Sequence, residues 1–319
     1  MYMMWLNFPG QPPQASTFSV EWDYLYYFLT ALTIFFSALI FIVIFYFAIK
    51  YRRRDKNEVP PQNEGNLPLE LTWTIIPTLI CVFVFVWSAQ LFIRASSPPA
   101  SATEIFVVGK QWMWKIQHPE GPREINQLHV PVHVPIKLTM TSEDVIHDFG
   151  VPAFRIKRDV VPGMYTTEWF EATETGQFHL FCDQFCGMGH STMVGTIFVM
   201  SQEDYARWLA SQLNSKPMFV SGERLFQQLG CNTCHTPEGK TGVPPLEGLY
   251  GSEVKLQNGK TVVADDAYLR ESILGPEAIV GYPPTMPTYQ GQMDEEDVLQ
   301  LIAYVKSLGP SGERKATKQ

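Results

Sequence analysis

Beyond residue 99 the 319-residue chain has no run of basic residues. Before that point six Lys and Arg balance six Asp and Glu, so the whole formal charge of -8 falls in the later part. That part is acidic and unsuited to nucleic acid. Cysteine is also scarce. Of the five, Cys81 lies in an apolar run that suggests a buried core position, and the other four form two close-spaced pairs, each followed by a His. Such a pattern excludes a disulfide framework and points to metal or haem chemistry. Residues 1–23 contain no Lys or Arg, which excludes the basic start of a cleavable signal peptide, and no Cys for a lipid to occupy. Charge is absent altogether from two long stretches, Tyr24 to Ile49 and Leu71 to Ile93.

At about 1.5 Å per residue, each uncharged stretch can cross a hydrocarbon core of about 30 Å. Lys50, Arg52, Arg53, Arg54 and Lys56 follow the first at once. By the positive-inside rule the loop 50–70 is then cytoplasmic, and residues 1–23 form an extracytoplasmic arm. Pro77 in the second stretch is tolerated where neighbouring helices satisfy the carbonyl it frees. A transmembrane hairpin over 24–95 returns the chain to the outside, and Ser96 to Thr103 reads as a linker. Short alternating or apolar segments follow at Glu104 to Gln117, Ile136 to Ser142, Thr166 to Ala172, Gln177 to Phe181 and Val194 to Met200. Their spacing is that of an all-β sandwich. Ser201 to Asn214 opens with SQED and continues at helical spacing, a short amphipathic helix closing a domain over 96–218. SKPMFVSG then links to a unit over 219–310 with helical segments at Gly222 to Leu229, Asp265 to Leu274 and Asp294 to Leu308, and 311–319 is a tail.

Residues 182–193 read CDQFCGMGHSTM. Cys182, Cys186, His190 and Met193, with His147 upstream, offer two thiolates, two imidazoles and a thioether. These donors suit copper rather than calcium, magnesium or manganese. His147, Cys186, His190 and Met193 alone would make a mononuclear blue-copper site, leaving Cys182 as a second thiolate able to bridge two ions. A copper loop before the last strand makes a cupredoxin-like Greek key the natural reading, with ligands on loops held by a rigid sheet.

Cys231-Asn-Thr-Cys234-His235 is a CxxCH, the attachment motif of c-type haem with His235 as proximal iron ligand. A zinc site would need another ligand pair, and none is nearby in sequence; a redox CxxC is disfavoured by the following His. Met286, in the Pro-rich loop YPPTMPTY, is the expected second axial ligand, ahead of Met293 at the start of the last helix. His118, His129, His133 and His179 lack ligand spacing and read as surface or satisfied interior groups.

These residues resemble a known family. His147 and the run Cys182 to Met193, with the flanks SEDVIHDFGVP and RDVVPGMYTTEW, resemble the binuclear CuA centre of cytochrome c oxidase subunit II. The resemblance implies two coppers held by His147, Cys182, the main-chain carbonyl of Gln184, Cys186, His190 and Met193. The family usually has Glu at the position of Gln184, with a carboxylate that can reach an interface magnesium. A backbone ligand survives the change, while the magnesium is left without that carboxylate. Met164 stands where the family often has Arg. LELTWTIIPTL resembles the second membrane helix of the family, in which Glu70 matches an acidic residue at the mouth of a proton channel shared with subunit I; a Glu at a helix start equally suits the helix dipole. GKQWMWKIQ resembles the aromatic cluster near the copper, which makes Trp112 a candidate for electron input and leaves Trp114 to packing. The segment from PPLEGLY to QGQM resembles the cytochrome c domain fused to subunit II in caa3-type oxidases, where the Pro matching Pro244 packs against the proximal His. In all, the resemblance covers Tyr24 to Leu308.

The expected architecture is a multidomain membrane protein with a two-helix transmembrane hairpin, an all-β cupredoxin-like Greek-key sandwich and an all-α class I cytochrome c domain. The resemblance implies a cytochrome c oxidase. Electrons would pass from cytochrome c or another respiratory donor through haem c to copper, then to haem in subunit I, which reduces oxygen and pumps protons. Subunits I and III and the lipid bilayer are the implied partners. The implied location is the bacterial cytoplasmic membrane, with both termini and the redox domains outside. Residues 219–310 carry six basic against twelve acidic residues, a surface that would steer a basic donor or simply be solvated. Three rivals stand beside this. The same relay could serve a nitric oxide reductase, which oxygen uptake against nitric oxide consumption by the complex would decide. A membrane copper-delivery protein has no use for His190, Met193 and a covalent haem together. A haem-based sensor would need a signalling domain, and no stretch is left over for one.

Overall fold

The computed structural model describes residues 11–55, 59, 65–212, 216–236, 243, 245–256, 259–276 and 286–309. It divides into two compact units, Thr17–Ser97 and, separately, the preceding arm together with everything from Pro98 onward.

In the first unit α1 (Thr17–Lys50) and α2 (Leu67–Ala95) pack as an antiparallel hairpin. Phe28 meets Phe83 and Trp87 at 5.9 and 5.7 Å between ring centres, and Glu21 pairs with Arg94 at one end. Apolar side chains such as Phe41, Ile49, Leu79 and Phe85 stay exposed around both helices. A helix apolar all round and uncovered by protein is built for lipid. The hydroxyls of Thr30, Thr33, Thr72, Thr74, Thr78 and Ser88 each donate to the carbonyl four residues back, which satisfies them without water. Two expectations need correction here. Helix α1 begins at Thr17 rather than Tyr24, because Glu21 and Asp23 are accommodated in its first turns, so the arm ends at Ser16. Cys81 is exposed rather than buried, since an apolar run on a membrane helix faces outward.

The second unit begins with a sandwich. Its strands are β1 (Thr103–Lys110), β2 (Met113–Gln117), β3 (Arg123–Ile125), β4 (Gln127–Pro131), β5 (Pro135–Ser142), β6 (His147–Val151), β7 (Ile156–Val160), β8 (Thr166–Glu171), β9 (Gly176–Cys182) and β10 (Val194–Met200). One sheet runs β3-β2-β1-β5-β8 and the other β4-β10-β9-β6-β7. β1 with β5 and β4 with β10 are parallel, and every other neighbour in these sheets is antiparallel. Trp114, Phe149, Phe154, Phe170, Leu138 and Leu180 are fully buried in the core. The expected strand from Glu104 to Gln117 is in fact two, folded back at Gln111 and Trp112 and paired Lys110 to Met113. β3, β4, β6 and β7 were not expected from the sequence. β7 places Lys157, Arg158 and Asp159 in succession, which hides its alternation.

A helix α3 (Gln202–Ser211), capped by the Ser201 hydroxyl accepting from Asp204 N, closes the sandwich. His118 is wholly buried against Glu124 at 2.8 Å, and His129 also pairs with Glu124, so both are satisfied interior groups. The haem-motif domain follows: α4 (Met218–Gln228), the hairpin of β11 (Glu253–Lys255) and β12 (Thr261–Val263), α5 (Asp266–Leu274) and α6 (Glu295–Ser307). Helices α5 and α6 are capped by Asp265 and Asp294. α4 starts four residues before the expected Gly222, since Met218 is drawn into the core and Pro217 serves as its cap residue. The β11–β12 hairpin adds strand to a domain expected to be all-α.

Gly222 lets α4 lie directly on α6. A Cβ there would fall 1.9 Å from the Gln300 carbonyl oxygen. Gly222→Ala is therefore expected to destabilise the domain by about 1–3 kcal/mol, measured as a lower denaturation midpoint followed at the haem absorption. Undiminished stability would show that the helices can separate there without cost.

Candidate metal centres

Alternation along β9 turns Phe178, Leu180 and Cys182 inward. β10 begins directly opposite, with Val194 paired to Phe181, and the Cys182 amide donates to the Met193 carbonyl at 3.2 Å. The segment 183–193 is thereby a closed loop. It folds back at Gly187, whose φ of +114° favours glycine, and through a 3-10 turn over His190–Thr192. β6 lies beside β9 with Phe149 opposite Cys182, which brings the start of β6, His147, to the same end of the sheet.

Six donor groups converge as a result. The Cys182 and Cys186 sulfurs are 3.7 Å apart, free rather than bonded. His147 Nδ1 is 3.9 Å from the Cys182 sulfur, and His190 Nδ1 is 3.6 Å from that of Cys186. The Gln184 carbonyl oxygen sits 3.3 Å from Cys182 Sγ, and Met193 Sδ sits 3.8 Å from Cys186 Sγ. His147, Cys182, Cys186 and Met193 are buried, so water is excluded from most of the cluster. Soft sulfur and imidazole donors of this kind fit copper.

The surroundings hold the donors in place. Asp144 Oδ1 lies 2.8 Å from His147 Nε2, and its carboxylate also accepts from the amides of Gln111 and Val145, both at 2.7 Å. With Nε2–H held by Asp144, Nδ1 is the nitrogen turned to the sulfurs: without metal it can carry a proton and donate to the Cys182 thiolate, and it is the nitrogen that a bound metal would take in place of that proton. Trp114 is buried edge-on to His147, as expected of a packing residue. Trp112 is 37 % exposed and lies flat over the loop: a Cβ on Gly189 would meet its Cδ2 at 2.4 Å. Its indole N–H donates to the Cys186 carbonyl at 3.3 Å, and Gln111 Nε2 donates to the same oxygen at 2.7 Å. Asp144 and Gln111 were missed by sequence reasoning. A carboxylate three residues before a candidate His ligand was the available signal for Asp144.

In the haem-motif domain a turn over Cys231–Thr233 leads to His235, whose amide donates to the Cys231 carbonyl at 2.9 Å. Tyr289 returns to this turn, its hydroxyl donating to Leu229 O at 3.1 Å and lying 4.0 Å from Cys231 Sγ. Met286, three residues earlier, is half-buried, whereas Met293 packs on the core of Leu269, Val298, Ile302 and Val305. Pro244 lies outside the described residues. Glu70 is in the first turn of α2, where its carboxylate accepts from the Asn66 amide at 3.4 Å while Asn66 Oδ1 accepts from Leu69 N. That is the work of a helix cap.

A buried cluster of sulfur and imidazole donors, a separate CxxCH turn and two membrane-length helices on one chain are the features of a membrane-anchored electron-transfer protein. Residues 4–91 match the family described as cytochrome c oxidase subunit II, transmembrane domain; residues 122–200 match its periplasmic domain; and residues 219–309 match cytochrome c. The chain is 30 % identical over 292 residues to cytochrome c oxidase subunit 2 of Alkalihalophilus pseudofirmus, covering 85 % of this chain and 82 % of that one. It is also 30 % identical to the Cereibacter sphaeroides subunit 2, over 63 % of this chain and 78 % of the relative. Among solved structures, the periplasmic domain of subunit II of cytochrome oxidase from Bradyrhizobium japonicum aligns at 32 % identity and a TM-score of 0.35, covering 36 % of this chain and 96 % of that one. The chain belongs to the cytochrome c oxidase subunit II family and carries a fused cytochrome c domain. It is a membrane protein of an oxidase, with copper and haem c implied by its domains.

The two thiols differ in acidity. Burial opposes ionisation of Cys182, but hydrogen bonds with His147 and with the main chain at Asp148 and Gln184 outweigh it and lower the thiol to about 6. Burial, then the neighbouring Cys182, push Cys186 up to about 12. Above about pH 6 the copper-free pair should thus hold a single thiolate, and copper loading should release the Cys186 proton. Alkylation of the haem-loaded, copper-free chain, read by mass spectrometry, should show one site thiol reacting with a midpoint near pH 6. Cys182→Ser should abolish that step and Cys186→Ser should retain it; two thiols ionising together would contradict the asymmetry.

Proposed function

We propose that this chain relays electrons from cytochrome c or another respiratory donor through one c-type haem, attached at Cys231 and Cys234 with His235 on the iron, to a binuclear copper centre. From there they go to haem in subunit I, where oxygen is reduced to water and protons are pumped. The observation that carries this reading is the pair of free sulfurs 3.7 Å apart, each with its own imidazole nitrogen. Six donors exceed what one four-coordinate ion takes. Two coppers would be held by Cys182 and Cys186 together with His147, His190, Met193 and the Gln184 carbonyl, all of which lie 3.3–3.9 Å from one of the sulfurs.

Bound copper and haem would supply the one-electron exchange, and the residues of the chain supply its setting. Asp144 orients His147, and the β9–β10 closure fixes the sulfurs, so a change of charge at the site moves little. Trp112, partly exposed and hydrogen-bonded to the Cys186 carbonyl, is the side chain through which an electron reaches the loop. Met286 completes the haem iron. In support, Met293 is taken up in apolar packing, and Tyr289 brings the Met286 segment back to the CxxCH turn. Gln184 offers no carboxylate for an interface magnesium. The hairpin sits in a bacterial cytoplasmic membrane beside subunits I and III, with the redox domains outside.

Metal analysis of the purified, fully loaded chain should give two coppers and one haem; a single copper would return the site to a mononuclear one. Met286→Ala should remove the sulfur-to-iron signature from the haem spectrum, and Met293→Ala should leave it. The reverse result would reassign the ligand.

A further inference from the structure

The haem-motif domain meets the sandwich across β1, and the contact is uneven. Phe106 and Val108 of β1 close on Met218 and Leu299, with Tyr165 and Ala303 against them. Lys306 of α6 reaches Glu104 at 3.3 Å, and Arg270 of α5 donates to the Gly163 carbonyl at 3.0 Å. Towards the first turn of α6 this packing gives way to a cavity of about 200 Å³, with Ile116, Ile125 and Leu299 on its walls and Lys115, Arg123 and Glu296 among its lining.

Charge is what crosses that gap. Lys115 Nζ of β2 lies 3.1 Å from Glu296 and 2.8 Å from Glu143. Lys110 joins Glu143 at 2.8 Å, and Arg123 reaches Glu296 at 3.4 Å. The Lys115, Glu143 and Glu296 side chains are 20, 12 and 18 % exposed, so solvent screens the group far less than a surface pair. The Glu143 amide is fixed to the Gly109 carbonyl at 3.0 Å, and the next residue, Asp144, holds His147. One ammonium group therefore joins the first turn of α6, shortly after Met286 in the chain, to the loop that orients a candidate copper ligand.

We propose that Lys115 is a positioning residue, which seats the haem domain against the His147 loop and thereby sets the rate of electron transfer from haem to copper. This rests on the relay proposed above. The transfer oxidises ferrous haem by one electron and reduces the oxidised copper pair by one, with no bond made or broken. The contacts through Met218, Lys306 and Arg270 keep the domain attached when Lys115 is changed, so its loss reseats the domain rather than releasing it.

The test uses the full chain loaded with copper and haem, in which the haem is reduced rapidly and the copper absorption is followed. Lys115→Met should slow the transfer several-fold, because tunnelling between the two centres weakens as the haem domain is reseated away from the His147 loop. The bands of both centres should stay as in the parent, and Lys115→Arg should recover the parental rate. In the copper-free chain, amide exchange in the first turn of α6 should rise in Lys115→Met alone. An unchanged rate or unchanged exchange in Lys115→Met, or no recovery in Lys115→Arg, overturns the assignment. If the unsubstituted chain passes no electron from reduced haem to copper, the relay itself fails and this inference with it.

Discussion

The backbone bond from the Cys182 amide to the Met193 carbonyl, closing the ends of β9 and β10, sets the conditions for the whole copper loop. With its ends pinned opposite each other, the intervening chain must turn back on itself, and it does so at Gly187 and at the turn over His190–Thr192. Both sulfurs, the His190 ring and the Gln184 carbonyl then fall on one side. The neighbouring strand β6 delivers His147 by register alone. A slip of one residue between β9 and β10 would turn Cys182 to the opposite face and disassemble the cluster.

Two kinds of force divide the work between sandwich and haem domain. Fully burying Met218 is worth about 1.5–3 kcal/mol, whereas an exposed ion pair contributes about 0–1 kcal/mol. Apolar contact along β1, flanked by the Lys306–Glu104 pair and the Arg270 bond to Gly163, is therefore what keeps the domains together. The charged groups around the cavity, less solvated than a surface pair but with little packing beneath them, act on orientation. Holding and aiming are thus done by different residues.

What could be read in advance was whatever is local in sequence. CDQFCGMGHSTM and CxxCH each contain most of their donors within a few residues, and the two uncharged stretches announce helices by length alone. The fold back at Gln111 and Trp112 was hidden because GKQWMWK contains no turn residue between two strand-like halves. β6 and β7 carry charged or ligand residues on a short ladder, which masks their period. Cys81 was misjudged because an apolar neighbourhood looks the same facing a core or facing lipid. Tyr289 against Cys231 and Lys115 against Glu296 come from distant segments, and no spacing rule anticipates such partners.

Where the N-terminal arm reaches the sandwich, Ala15 is wholly buried, its amide donating to the Ala153 carbonyl and its carbonyl accepting from Thr173, while Ser16 bridges to Ala172 just past the end of β8. β8 is the last strand of its sheet. An outermost strand offers unpaired amides and carbonyls to any passing chain, a standing invitation to unwanted self-association. Residues 15 and 16 close off the corner where that margin ends, so a second chain could not extend its pairing past Glu171 without first displacing the arm.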